Sequence, residues 1–216
     1  MKISVIIPYH IDRGYLSHAV GSAERQEGFR LGTDYEIIVQ QGFHYSGKNL
    51  NDGVCKVRGK YIKRLDEDDQ LLPTCLKDSY EFMEASKCGV MCANAINFTK
   101  DSHEQSNSFI PATVAKLAEA NTIHNATVMY LKEALLDSDE TLWTGEDYEL
   151  HLRMAAAGVC FEYWPESVVA YRIGTGQKSR PDDKEKYRSR LIYIEEVIRS
   201  KFRDNHTKIK RVWKSV

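Results

Sequence analysis

Four short apolar runs rich in β-branched residues recur within the first hundred positions, and a helix-patterned segment separates each from the next. The runs are "ISVIIPY" at 3–9, "YEIIVQQG" at 35–42, "KYIKRL" at 60–65 and "GVMCANAINF" at 89–98. Runs this continuous suit parallel strands covered on both faces, because a strand with one wet face alternates instead. Between them, "GYLSHAVGSAERQ" carries Leu16, Ala19, Val20 and Ala23 at helical spacing, and "NLNDGVCKVRG" places Leu50, Val54 and Val57 on one helical face. "PTCLKDSYEFMEAS" opens on Pro73, favoured in a helix's first turn, and keeps Leu76, Tyr80 and Met83 in register. Such alternation implies right-handed crossovers and an α/β fold, a mostly parallel central sheet flanked by helices.

The second half is less regular. "PATVAKLAEAN" reads as a short helix, and "TVMYLKEALL" fits strand or helix. "GEDYELHLRMAAAG" is a helix ending at Gly158, followed by two strands, "VCFEYW" and "SVVAYRI". From Pro181 a charged helical pattern runs to about Phe202, which sets residues 181–216 apart from a unit of residues 1–180. The tail "KIKRVWKSV" reads as a solvated end, with a peripheral membrane contact as the alternative.

A net charge of −1 gives no sign of a nucleic-acid partner. Five cysteines, an odd number without C-x-x-C spacing, read as reduced thiols of an intracellular protein with no zinc site. The opening "MKISVIIPYH" is too short in its apolar run for a signal peptide or a membrane span, so a soluble, cytoplasmic protein is expected.

Ligands of an open parallel sheet bind beyond the carboxyl ends of its strands. Three such ends are readable and should share one edge: Tyr9-His10, Gln40-Gln41-Gly42, and the four acids Asp66, Glu67, Asp68 and Asp69. Four adjacent carboxylates repel one another unless a cation sits among them. Asp66-x-Asp68 at a strand end suits Mn²⁺ or Mg²⁺ held against a diphosphate, since hard cations take oxygen ligands. The alternative is a solvated acidic turn with Asp69 near the positive end of the next helix. A calcium loop fits poorly, because its sixth position would be Leu71 instead of glycine and its twelfth Lys77 instead of glutamate. No phosphate-cradling P-loop or glycine-rich dinucleotide turn is present.

Taken in order, "SVIIPYH", "EIIVQQG", "NDG", "GKYIKRLDEDD", "GEDYELHLRMAAAG" and "VVAYRI" resemble glycosyltransferase family 2, with the GT-A nucleotide-sugar fold, over roughly residues 1–180. The resemblance implies a nucleotide-binding half to about residue 100 and an acceptor half over 101–180. It implies that Asp66 faces the ribose and metal, with Glu67 beside it, and that Asp68 is the principal metal ligand. Pro8, Tyr9, His10, Gln40, Gln41 and Asn51 would line the nucleotide pocket. The chain departs from the family where Asp-Asp-Gly-Ser is usual and Gln40, Gln41, Gly42 and Phe43 stand. The usual arginine before Asn51 is Leu50, which leaves the phosphate to Lys48 or Arg13, and Gly174 replaces a histidine often found near the metal.

The family inverts the anomeric centre in one displacement and needs a base at the acceptor hydroxyl. The matching motif is Glu146-Asp147 in "TGEDYEL", with Asp147 as the expected base. Thr144 and Asp147 also have capping-box spacing, which is the structural alternative. Trp143 and Tyr148 could stack on an acceptor sugar, or be core; His124 is a weaker acceptor contact. The reading is a metal-dependent inverting transferase with a nucleoside-diphosphate sugar donor, UDP expected, and a glycan or other hydroxyl acceptor. Two alternatives stand. A sugar-phosphate nucleotidyltransferase shares the alternation, although "PYHIDRG" lacks that reaction's glycine-rich loop. A catalytically inactive nucleotide-sugar binding module is kept open by Gln40-Gln41.

Overall fold

The computed structural model describes residues 1–43, 46–99, 101–174 and 184–211. Strand β1 (Ile3–Tyr9) leads into α1 (Leu16–Glu24), β2 (Tyr35–Gln41), α2 (Ser46–Val54) and β3 (Tyr61–Arg64). A two-residue β4 (Gln70–Leu71) precedes α3 (Cys75–Ser86), β5 (Val90–Phe98), β6 (His103–Ser106), α4 (Val114–Glu119) and β7 (Met129–Leu131). Then come α5 (Glu146–Ala156), β8 (Phe161–Arg172) and α6 (Lys184–Tyr193). Helical structure continues past α6 through a π turn at Ile194–Ile198 and a 3-10 turn at Arg199–Lys201, close to the expected end at Phe202. Pro181 and Trp213, and with Pro181 the boundary at 180/181, lie outside the described residues.

The strands form one mixed sheet in the order β2-β1-β3-β7-β5-β8-β4, with β6 on β5. β1 pairs with β2 and β3 in parallel, and β5 with β8 in parallel. The fourth apolar run therefore does not neighbour the third. Antiparallel β7 lies between them, pairing with β3 on one side and β5 on the other. A side chain of β3 supports this arrangement. Lys63 is fully buried, and its ammonium donates to the Ala126 carbonyl at 2.7 Å and the Val128 carbonyl at 3.2 Å, which holds the chain entering β7 against the sheet. "TVMYLKEALL" resolves into both readings, strand at Met129–Leu131 and a 3-10 turn at Lys132–Ala134.

The two strands expected over 159–173 are one, with a bulge opposite Asn94. Pro165 interrupts the ladder because it lacks an N–H. The Asn94 amide repairs the gap, donating to the Pro165 carbonyl at 3.0 Å while its oxygen accepts from Tyr163 Oη at 2.8 Å. Strand alternation sends Ile6 and Ile62 to one face and Val5, Ile7 and Tyr61 to the other. The first face packs under α2, α4, α5 and the C-terminal helix, the second under α1 and α3. All five cysteines are free thiols, and no described helix is long and apolar enough to cross a membrane.

His151 of α5 is buried on the first face, its Nε2 2.8 Å from Tyr130 Oη, and burial followed by the charge of Arg64 pushes its pKa down to about 3. Only the unfolded chain takes up this proton between pH 6.5 and about 3, so the stability is complete above pH 6.5 and lost as pH falls. From pH 7 to pH 5 the cost is about 2 kcal/mol. Denaturant titrations at the two pH values should show His151→Gln losing less stability than wild type by about that amount. Equal losses in the two proteins would assign the acid sensitivity to other groups.

Candidate active site

Tyr9 pairs with Gln41 and Ile6 with Arg64, so the carboxyl ends of β1, β2 and β3 open on one edge of the sheet. There the Gly42 N–H donates to the Tyr9 carbonyl at 3.0 Å, and His10 Nδ1 lies 2.9 Å from the Gly42 carbonyl. A side chain at Gly42 would collide with the Asn49 amide, so the crossing requires glycine. Phe43 meets His10 edge to face at 5.7 Å and leaves 78% of its surface exposed at the rim. An aromatic where small polar residues are usual was the available signal for this wall.

The paired glutamines diverge, as neighbours on a strand must. Gln40 is buried and accepts from Lys56 Nζ at 2.5 Å, while Gln41 is exposed. Pro8 is buried within β1, so of the expected pocket residues at this edge Tyr9, His10 and Gln41 are the ones that reach the surface. Asn51 is used otherwise. Its amide donates to the Ser138 carbonyl and to Glu140 Oε1, both at 3.0 Å, and its oxygen accepts the Ser138 N–H at 2.9 Å. Lys48 is ion-paired with Asp52. Asn51 fastens α2 to the 138–140 segment, and Lys48 Nζ lies 4.0 Å from Glu140 Oε1 of the same segment.

The acid loop after β3 already holds cations, and they are arginines. Arg64 Nε donates to Asp66 Oδ1 at 2.8 Å. Arg13, from the loop after β1, donates to Glu67 Oε1 at 2.7 Å and to Asp68 Oδ2 at 2.8 Å. Arg172 donates from Nε to the Asp68 carbonyl at 3.1 Å. Asp69 turns inward instead. It is fully buried, its Oδ1 accepts the Arg172 N–H at 2.9 Å, and its Oδ2 has no partner. Burial, then the charges of Asp66 and Asp68, holds its carboxyl well above the usual range. Burial and Asp66 raise Asp68 too, with Arg13 opposing.

Among the described residues no three or more His, Cys, Asp or Glu side chains converge to hold a metal. Asp66 and Asp68 supply hard oxygen donors at this edge. That donor set suits a divalent cation whose remaining positions are filled by phosphate oxygens or water, in the manner of Mg²⁺ sites that bind one or two carboxylates and a substrate phosphate.

Across from the loop stands the first turn of α5. Its N-cap is Gly145, in the left-handed region at φ 72°, where a Cβ would lie 2.7 Å from Ile198 Cδ1. No side chain caps the helix, so the capping-box alternative is not realised; Thr144 Oγ1 accepts from Arg190 Nε at 3.1 Å instead. Glu146 is buried and accepts from Ser46 Oγ at 2.6 Å, with Arg64 Nη2 3.9 Å away. Asp147 is half-buried, and burial followed by the Glu146 charge raises its pKa to about 6 against the pull of Arg64. A carboxylate tuned toward neutrality is what a general base at neutral pH requires.

The acceptor candidates fare differently. Tyr148 is 1% exposed and its hydroxyl donates to the Leu117 carbonyl at 2.6 Å, so its ring is core and cannot stack on a sugar. Trp143 is half-buried against Tyr193, with ring centres 5.3 Å apart. His124 packs edge to face on Tyr171 at 4.5 Å, and burial, then Lys63, lowers its pKa to about 4 while Asp66 pulls the other way. It is a neutral imidazole beside the acid loop. Arg64 and Ser46 were not anticipated, although two consecutive basic residues in a doubly covered strand are a readable anomaly.

Residues 40–136 match the family model described as Glycosyl transferase family 2. The chain is similar to an uncharacterized glycosyltransferase of Haemophilus influenzae, 24% identical over 140 residues, covering 62% of this chain and 52% of that protein. An uncharacterized glycosyltransferase of Methanocaldococcus jannaschii is 28% identical over 137 residues, covering 59% of this chain and 47% of its own. The chain thus spans about half the length of these curated relatives. Among solved structures, S. aureus TarS 1-349 in complex with UDP-GlcNAc superposes with a TM-score of 0.66 at 17% identity, over 90% of this chain and 66% of that one. TarS 1-349 in complex with UDP gives 0.63 at 16% identity, over 81% and 61%. The α/β fold is that of the GT-A glycosyltransferases.

Glu146 and Asp147 should respond oppositely to neutralisation. Asp147→Asn removes a charge that the fold disfavours and no cap is lost, so at pH 7 it should melt at or above wild type, by roughly 1 kcal/mol after solvent screening. The gain should shrink as pH falls below about 6 and be gone by about pH 3, below the ordinary aspartate value, where the wild-type carboxyl is protonated in both states. Glu146→Gln should destabilise, since Ser46 and Arg64 lose their anion. Calorimetric melts at the two pH values decide it, and a destabilised Asp147→Asn would restore the capping role.

Proposed function

We propose that the protein is an inverting glycosyltransferase that uses a divalent cation and a nucleoside-diphosphate sugar, with UDP as the nucleotide and a glycan or other hydroxyl as acceptor. One observation carries the reading: Arg64 reaches from Asp66 of the acid loop to Glu146, the residue beside Asp147, so the acid loop and the first turn of α5 face each other across one guanidinium. The family match and the nucleotide-bound TarS structures support it. In this reading residues 1–100 serve the nucleotide and 101–180 the acceptor.

Phe43, His10 and Gln41 offer a stacking face and polar groups to the base and ribose. Arg13 is the cation placed to turn toward the diphosphate, since its partners Glu67 and Asp68 are where that group would arrive. Asp66 and Asp68 would hold Mn²⁺ or Mg²⁺, which when bound neutralises charge developing on the leaving diphosphate. Asp147 accepts the proton of the acceptor hydroxyl as that oxygen attacks the anomeric carbon. Burial and Glu146 keep its proton affinity high enough for that step.

That arginines already neutralise the acid loop favours a second reading, a nucleotide-sugar binding module without transfer. Binding and turnover separate the two. UDP should raise the melting temperature when Mn²⁺ is present and fail to do so in chelator; at 100 times its dissociation constant a ligand adds about 2.7 kcal/mol. Asp68→Ala should lose that response and keep its fold, and equal UDP binding in chelator would refute the metal bridge. Asp147→Asn should retain UDP binding and lower transfer roughly 10²–10⁴-fold. Metal-dependent binding with no transfer to any hydroxyl acceptor would establish the module.

A further inference from the structure

Arg64 carries its charge in a strand that is buried along its whole length, with 8% of its side chain exposed. Burial works against the guanidinium, but Asp66, Glu146 and Asp147 together outweigh it and keep it charged. The side chain leaves β3 on the face covered by α5 and reaches two separate elements. Nε meets Asp66 Oδ1 at 2.8 Å in the acid loop, and Nη2 lies 3.9 Å from Glu146 Oε1 in the first turn of α5. Ser46 of α2 holds the same Glu146 oxygen at 2.6 Å, so the turn is pinned from two sides.

We propose that Arg64 is a positioning residue for the transfer reaction proposed above, tying the donor-side acid Asp66 to the helix turn that presents Asp147 and so setting the distance between donor and base. The inference rests on that reading of the site. The charged and titratable groups facing Asp147 are Glu146 on its own helix, Arg64 of β3, Asp66 of the acid loop and Tyr130 of β7. Of these Arg64 is the one cation, and its planar fork lets a single side chain serve two carboxylates at once. Lysine at this place would keep a charge but reach one partner at a time. A shift of about 1 Å between reacting groups costs on the order of 100-fold in rate.

The test is Arg64→Lys, which avoids leaving buried acids without any cation. Expected are a melting temperature within a few degrees of wild type, UDP–Mn²⁺ affinity within about threefold, and kcat lower by roughly 100-fold. The Asp147 carboxyl titration, followed by carbon-13 NMR without donor, should move upward in the variant. A folded Arg64→Lys that turns over at the wild-type rate overturns the proposal. So does a variant whose UDP–Mn²⁺ binding falls in step with kcat, which would make Arg64 a donor-site support only. If wild type itself transfers no sugar, the glycosyltransferase reading fails, and the titration alone then decides: an unmoved Asp147 overturns the link through Arg64, and a moved one retains it. Arg64→Met should shift the titration further, and an unfolded Arg64→Met leaves the Arg64→Lys outcomes as the decision.

Discussion

Two adjacent cations are buried in strand β3, and much of the molecule is arranged around their needs. A buried charge without a partner costs several kcal/mol, so each must find acceptors inside the fold. Because neighbours on a strand face opposite ways, the two demands are met on opposite sides of the sheet. Lys63 takes two backbone carbonyls and thereby draws the chain entering β7 beside β3. Arg64 takes carboxylates and thereby joins the acid loop to α5. The antiparallel insertion in the sheet and the assembly of the site are thus two consequences of one dipeptide.

The four acids after β3 look like one feature in sequence but divide in space. Asp66 and Asp68 stay near the surface within reach of Arg64 and Arg13, Glu67 is tied to Arg13, and Asp69 is folded inward against the Arg172 backbone. Burial raises the carboxyls of Glu67, Asp68 and Asp69 despite the arginines. Desolvation leads in each case, ahead of the mutual repulsion of the acids.

How much of this was legible follows from what each signal depends on. β1, β2, β3 and α5 were readable because their patterns are set by burial on fixed faces, and β1 and β2 appear with the expected ends. The shared edge followed from the parallel alternation alone. The place of β7 was not readable, because three strand residues carry little periodicity and their pairing depends on the remote side chain of Lys63. Tyr148 was placed at the acceptor by motif adjacency, yet helix geometry turns it inward, one residue and about 100° from Asp147. Asn51 and Gln40 match or replace family positions, but their hydrogen bonds are made with α2's surroundings, a use that only tertiary neighbours define. Arg64 is legible as a charge in a covered strand, but its partners Asp66 and Glu146 are set by the loop and by α5, which strand patterning does not reach.

The same turn of α5 shows how adjacent carboxylates acquire different chemistry. Both sit in the first turn of a helix, whose positive end favours anions. Glu146 is buried with a hydroxyl donor and a guanidinium in reach, so its negative charge is matched. Asp147 combines burial with the repulsion of that matched neighbour, and the pull of Arg64 and a hydrogen bond from the Tyr148 backbone oppose them. Burial first, and then the charge of Glu146, raise the Asp147 carboxyl. Adjacent carboxylates thus differ because one has a hydroxyl and a guanidinium in reach and the other has not.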